Sequence, residues 1–175
     1  MFADFEPTAV EILSYEPEYV PGLLQTPEYL RAVQAAQLPS QAPNPEAVHK
    51  LRATRHKSLF TRRTQPSMKF VIGAVAMVYL DDLDEDVRTA QLAHLREMNA
   101  QANIEIRVIT RMHAAMNGGF TILEPAQGSL GANRFVWVEA QDVCRYVEAG
   151  DVVSVYDEIF SSVCDRAKPL EEYLT

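Results

Sequence analysis

Arg55 is the residue whose chemistry is most constrained by where it falls. It completes, at the right phase, a helical stripe otherwise made of Val48, Leu51 and Leu59, so its guanidinium is directed toward the buried side. A buried guanidinium is costly without an anion beside it, and it therefore demands a carboxylate of the same chain or a bound acidic ligand. Glu139, Glu6 and Glu11 are the candidate carboxylates. An internal salt bridge joining helix to sheet and a ligand anchor are both open, and Arg52, one turn earlier, shares either role. His113 follows a strand-like run and precedes Gly118-Gly119, where loops place functional groups over a sheet edge. With Glu139 it forms a candidate acid-base pair for moving a proton, and Arg55 is placed to polarise a carbonyl.

Other chemistries find less support. His49, His56, His94 and His113 lack the HExxH spacing, so no metal is expected, and His94 shares a helical face with Gln91 and Met98 as a satisfied, partly buried histidine would. Asn117-Gly118-Gly119 has neither dinucleotide-loop nor phosphate-loop spacing, and no GxSxG or Walker pattern occurs, so no cofactor is expected. Cys144 and Cys164 each sit in an apolar pattern, which raises a thiol pKa rather than activating it. With no neighbouring cysteine they suit neither a disulfide framework nor a zinc site, and reduced thiols are expected. Trp137, Phe135, Phe120, Tyr79 and Met77 are sufficient either to line an apolar ligand cavity or to fill a core. The ligand-binding candidates are the polar Gln25, Arg52, Arg55 and His56 and the aromatic Tyr29, Phe120 and Trp137.

These residues need a scaffold. The opening segment reads as a helix, with Ala9, Ile12 and Leu13 at helical spacing and Pro17 as its stop. Thr26 caps a second helix with Pro27 in its first turn, carrying Tyr29, Leu30 and Val33. The proline-rich stretch from Pro39 to Pro45 predicts an extended loop, and Glu46 to Phe60 a third helix. Phe70 to Tyr79 is apolar at odd and even positions alike, the pattern of a central strand covered on both faces. An acidic cluster from Asp81 to Asp86 opens a helix running through Val87, Leu95 and Met98, and Ile104 to Ile109 is the next strand. Strand, helix and strand in this order predict a parallel crossover. Phe120 to Leu123 and Phe135 to Glu139 read as a hairpin with Val143 to Val147 beside them, and Asp151 caps a final helix with Val152, Tyr156, Ile159, Phe160 and Val163 on its apolar face. The expected fold is α/β (α+β): a central mixed sheet with a strand-helix-strand crossover, N-terminal helices and a C-terminal helix packed on it. Residues 1–175 form one domain, mostly helical over 1–64 and sheet with flanking helices over 65–175.

Composition narrows the classes further. A chain of 175 residues with 47% hydrophobic and 23% charged residues is neither disordered nor fibrous, and no apolar run reaches membrane-span length. The net charge of -8 disfavours adhesion to nucleic acid or anionic membrane. Lys50, Arg52, Arg55, Lys57, Arg62, Arg63 and Lys69 nevertheless make one segment locally cationic. The start, MFADFEPTAVEI, has no signal-peptide order, so a cytoplasmic location is expected.

One stretch carries a family resemblance. Glu6, Ala9 and Ile12, followed by YEPEYVPGLLQTPEYLRA from Tyr15 to Ala32, closely resemble the effector domain that follows the helix-turn-helix in many actinobacterial XRE-type transcriptional regulators. Arg52 and Arg55 stand where that family has paired arginines, QLAHL from Gln91 matches its second helix, and NIEIRVI its following strand. His113, Gly119 and Phe120 resemble its histidine, glycine and phenylalanine segment, and Val138-Glu139 its strand end. The similarity extends over nearly the whole chain. It implies a sensing or protein-interaction module, sometimes paired with a small partner protein, whose DNA contacts belong to a separate helix-turn-helix. Such a motif needs at least two helices, and the residues before Glu6 are too few for them. Departures occur at polar or special positions: Gly73-Ala74 where the family commonly has aspartate-glutamate, His56 where it commonly has glutamine, and Thr110 where proline often ends the strand. The apolar pattern is intact, which suggests a kept scaffold with a remodelled site in a stand-alone relative.

The expected function is a small-molecule-binding domain that does not itself contact DNA. Two alternatives stand beside it: a cofactor-independent enzyme of natural-product biosynthesis (a cyclase, isomerase or dehydratase) and a module that binds a small partner protein or full-length regulators. Expected partners are a small-molecule ligand or substrate, with a small protein partner and a homodimer as further candidates, and neither nucleic acid nor membrane.

Overall fold

The computed structural model describes residues 6–38, 44–128, 133–140 and 143–175. Its strands are β1 (Ala9–Glu16), β2 (Ser67–Gly73), β3 (Ile104–Ile109), β4 (Phe120–Pro125), β5 (Phe135–Glu139), β6 (Cys144–Val147) and β7 (Lys168–Pro169). Its helices are α1 (Pro27–Ala36), α2 (Pro45–Phe60), α3 (Ala74–Val78), α4 (Glu85–Asn99), α5 (Gly150–Arg166) and α6 (Leu170–Tyr173), and 3-10 turns occupy Glu6–Thr8, Gly22–Leu24 and Tyr79–Asp82. The strands form one mixed sheet in the order β6-β5-β4-β1-β2-β3-β7. β1, β2 and β3 are parallel, while β4, β5, β6 and β7 pair antiparallel to their neighbours. The parallel β2-α4-β3 unit and the β4-β5-β6 meander agree with the spacing of the sequence.

Side chains alternate between the two faces of the sheet. Ile12, Phe70, Ile72, Leu123 and Phe135 belong to one core with Tyr29 of α1, Leu59 of α2 and Leu95 of α4. Leu13, Tyr15, Val71, Phe120 and Ile122 belong to a second core with Val153, Phe160 and Val163 of α5. Burying each large side chain of this kind contributes roughly 2–3 kcal/mol. Helices therefore cover both faces, as an α/β sheet requires.

Three expectations are corrected. Residues 9–16 are not a helix but β1, which pairs with β2 on one side and β4 on the other, so the mainly helical region 1–64 supplies the middle of the sheet. Ile12, Leu13, Ser14 and Tyr15 are consecutive and all buried, and a strand buried on both faces presents the same apolar run as one turn of helix. The predicted strand from Phe70 to Tyr79 ends at Gly73, and Ala74–Val78 is α3. Its burial is helical in period, with Ala76, Met77 and Leu80 inside and Val75, Val78 and Tyr79 exposed. Asp151 lies within the first turn of α5 rather than at its cap, which is Ala149, and the buried stripe includes Val153 in place of Val152. Part of the proline-rich loop, at residues 39–43, and residues 129–132 of the β4-β5 connection lie outside the described residues.

Two polar contacts fix the helices that matter for the site. Thr26 caps α1, its hydroxyl accepting from the Tyr29 amide at 3.2 Å. Gln91 of α4, fully buried, accepts from the Thr26 amide at 2.9 Å and donates to the Leu24 carbonyl at 2.8 Å, pinning the Gly22–Leu24 turn to α4. Among the described residues no helix is long and apolar enough to cross a membrane.

Candidate functional site

The α1 and α4 helices and the turn that Gln91 holds between them face one side of α2. The space left is a cleft of about 380 Å³, with Leu23, Pro27 and Leu30 on its apolar wall and His49, Arg52 and His56 projecting from α2. Gln25, Thr26, Arg55, Lys57 and His94 complete its polar lining. Residues 49, 52 and 56 follow the spacing that puts side chains on one helical face, which is why α2 delivers two imidazoles and a guanidinium to the same space.

The two arginines of α2 have different environments. Arg55 is locked to Glu6, donating from Nε to Oε2 at 2.6 Å and from Nη2 to Oε1 at 2.5 Å. Glu6 is 1% exposed, so this is a buried bidentate pair, one of the arrangements anticipated for an inward arginine. Glu11, another anticipated partner, instead accepts from Arg134 at 2.7 Å, and Arg134 also clasps Asp157 of α5. Arg52 has neither a hydrogen bond nor an ion pair among the described residues. Its Nη1 lies over Gly22, where a Cβ would come within 1.5 Å of it, so the missing side chain at Gly22 makes the space the guanidinium occupies. Burial, and the neighbouring charge of Arg55, hold Arg52 below its ordinary pKa despite the opposing influence of Glu139, Glu6 and Glu16.

The histidines are individually distinct. His49 Nε2 is 3.1 Å from Gln34 Oε1 across the α1-α2 contact. His56 stacks at a tilt on Phe60, with ring centroids 4.4 Å apart. Burial, and then the neighbouring His94, hold its pKa below the ordinary histidine value. Gln25 donates from Nε2 to the Val20 carbonyl at 2.7 Å, and its Oε1 is buried with no partner among the described residues.

On the sheet side of Arg52 sits a pair of carboxyl groups. Tyr15 is opposite Phe120, and Thr121 opposite Trp137, so one step along the first ladder brings Glu16, and two steps along the second bring Glu139, to either side of Gly119. A Cβ at Gly119 would lie 3.1 Å from Glu16 Oε2, so its bare backbone gives the carboxylate room. Burial and the like charge of Glu139 push the Glu16 carboxyl up to about 7, against a lowering influence from Arg52. A carboxyl group in that range can accept or release a proton near neutral pH.

Arg52, Arg55, His56 and Gln25 are thus brought together, with Glu139 on the far side of Arg52. Tyr29 is structural: it is buried, and its hydroxyl accepts from the Val20 amide at 3.1 Å. Trp137 packs at the edge of the core beneath α1, α2 and α4 and does not line the cleft. Phe120 and His113 are on the other face, under α5. Phe120 meets Tyr156 edge to face at 4.9 Å, and His113 Nε2 is 3.2 Å from the Tyr15 hydroxyl while its Nδ1 accepts from the Ala115 amide at 3.1 Å. Burial and Arg166 lower its pKa. Glu16, His49, His94 and Gly22 were not anticipated as site residues. The spacing of His49, Arg52 and His56 was the available signal for the first histidine, and Glu16 was hidden by reading Pro17 as a helix stop.

A model of the family described as a domain of unknown function (DUF5753) matches residues 1–173. No curated protein and no solved structure matches the chain.

Proposed function

The chain belongs to the DUF5753 family, and on that premise we propose that it is a small-molecule-binding domain akin to regulator effector domains, with the cleft between α1, α2 and α4 as its binding site. The observation that carries this reading is the cleft itself. Its volume of about 380 Å³ is within the range of ligand pockets, and it combines an apolar wall with a few convergent polar groups. The resemblance of VPGLLQTPEY and of the paired arginines to XRE-type effector domains agrees with it, since Gly22, Leu23, Gln25, Pro27, Arg52 and Arg55 are all lining residues.

The test is a ligand screen by thermal shift and calorimetry on the parent and on Ala53→Trp. Ala53 is exposed and lines the cleft, so an indole there fills the space without entering the core. Compounds that stabilise the parent and lose their effect in Ala53→Trp support the reading; compounds that bind both equally, or an absence of binders, overturn it.

A second reading has a specific observation in its favour. Glu16, titrating near 7 beside Glu139 and Arg52, has the properties of a general base, which favours a cofactor-independent proton-transfer enzyme such as an isomerase or dehydratase. Turnover that survives Arg55→Ala but is lost in Glu16→Gln would replace the binding reading with this one.

A further inference from the structure

We infer that the ligand of the cleft is an organic anion, an apolar body bearing a carboxylate-class head that seats on Arg52. This deepens the binding reading above and rests on it. In a chain of net charge -8, the cleft is lined by Arg52, Arg55, Lys57 and three histidines and, among the described residues, by no aspartate or glutamate. An acidic protein that sets Arg52 and Lys57 around one apolar space has built a local positive potential there. Arg55 is already neutralised by Glu6, and His49 is engaged with Gln34. Arg52 is different, with its guanidinium held over Gly22 and no hydrogen-bond acceptor or ion-pair partner among the described residues. A partly buried guanidinium with five free donors is matched by a planar two-oxygen anion, which accepts two parallel hydrogen bonds. Leu23, Pro27 and Leu30 then cover the apolar part of the ligand.

Glu16 and Glu139 act on Arg52 from the sheet side but do not line the cleft. They are the carboxylates against which an incoming anion must compete. Burial and the like charge of Glu139 keep Glu16 partly protonated near neutral pH, which weakens its hold on Arg52, and neither carboxylate is hydrogen-bonded to the guanidinium among the described residues.

The test uses three probes of one shape on the full chain: 2-naphthoate, 2-naphthylmethanol and 2-naphthylmethylamine, titrated by calorimetry at low salt near pH 7. The expected result is that naphthoate binds at least tenfold more tightly than the alcohol and that the amine binds most weakly. Arg52→Gln should bring naphthoate down to the affinity of the alcohol, while Arg52→Lys retains part of the preference. Gly22→Ala, which displaces the guanidinium without removing it, should behave like Arg52→Gln. Equal binding of the three probes by the parent, or an anion preference that survives Arg52→Gln, overturns the anion inference while leaving a small-molecule cleft in place. Failure of all three probes to bind at millimolar concentration overturns both.

Discussion

Arg55 and Glu6, 49 residues apart in the chain, meet as a two-pronged pair at 2.6 and 2.5 Å that fastens α2 to the turn preceding β1. The carboxylate is almost completely enclosed while the guanidinium retains some exposure, 1% against 18%. Removal of the cation is therefore the more damaging change. Arg55→Met should destabilise the domain by about 3–5 kcal/mol, as stranding a buried charge does, and Glu6→Gln by less. The double variant Glu6→Leu/Arg55→Met should recover much of the loss, measured by urea unfolding monitored by circular dichroism.

Gly22 and Arg52 make the contrasting case. An alanine methyl at position 22 collides only with the far end of a flexible side chain, so the fold accommodates it. Gly22→Ala should change stability by no more than about 1 kcal/mol, and thermal unfolding checks this independently of its loss of anion preference.

At Gly73 the obstacle is backbone. A Cβ there would lie 2.2 Å from the Pro17 carbonyl oxygen, where the chain leaving β1 passes over the end of β2. Gly73→Ala should cost on the order of 3 kcal/mol or prevent folding, seen as a fall in the urea midpoint. The same approach leaves no room for any side chain at position 73 without movement of the Pro17 backbone.

Glu16 should leave a signature in the pH dependence of stability. Its pKa in the fold, about 7, is above the ordinary 4.5, so the folded state holds a proton that the unfolded chain releases. The neutral form is present in both states below about 4.5, and stability is lost as pH rises from there through 7. Glu16→Gln removes this loss: it should match the parent near pH 4 and exceed it at pH 8 by on the order of 2–3 kcal/mol. The groups around Glu16 are Tyr15, Tyr29, Arg52 and Glu139, and Tyr15 and Tyr29 have pKa values raised chiefly by burial, so neither tyrosine titrates in that window. His56 and His113, whose pKa values are lowered, favour the folded state as pH rises past theirs, and comparing variant with parent cancels them.

His113→Ala should leave ligand binding in the cleft unchanged and reduce stability by about 1 kcal/mol through loss of its contacts to Tyr15 and Ala115. Calorimetry against any cleft ligand and thermal unfolding of the same sample measure both effects.

Much of the scaffold was legible along the chain because its signals are local. Thr26-Pro27 opens a helix wherever it occurs with free amides behind it, and the alternation of Ile104 to Ile109 is that of a strand whatever its neighbours. Arg55 does turn inward to a carboxylate, although Leu51 of the stripe that placed it is 50% exposed and Leu59 alone of its apolar members is buried; that the carboxylate is Glu6 rather than Glu11 or Glu139 depended on how distant segments pack. The identity of residues 9–16 was also decided by tertiary structure, since a run buried on both faces fits a helix or a central strand until β2 and β4 supply ladders on its two sides. The candidate site belongs to this second kind. His49, Arg52 and His56 share a helical face by sequence alone, but the wall they confront, the emptiness between, and the placing of Glu16 and Glu139 beside Gly119 arise from contacts among residues far apart in the chain. Local sequence sets backbone preference and the direction of a side chain; only the folded packing determines which charge, surface or void it meets.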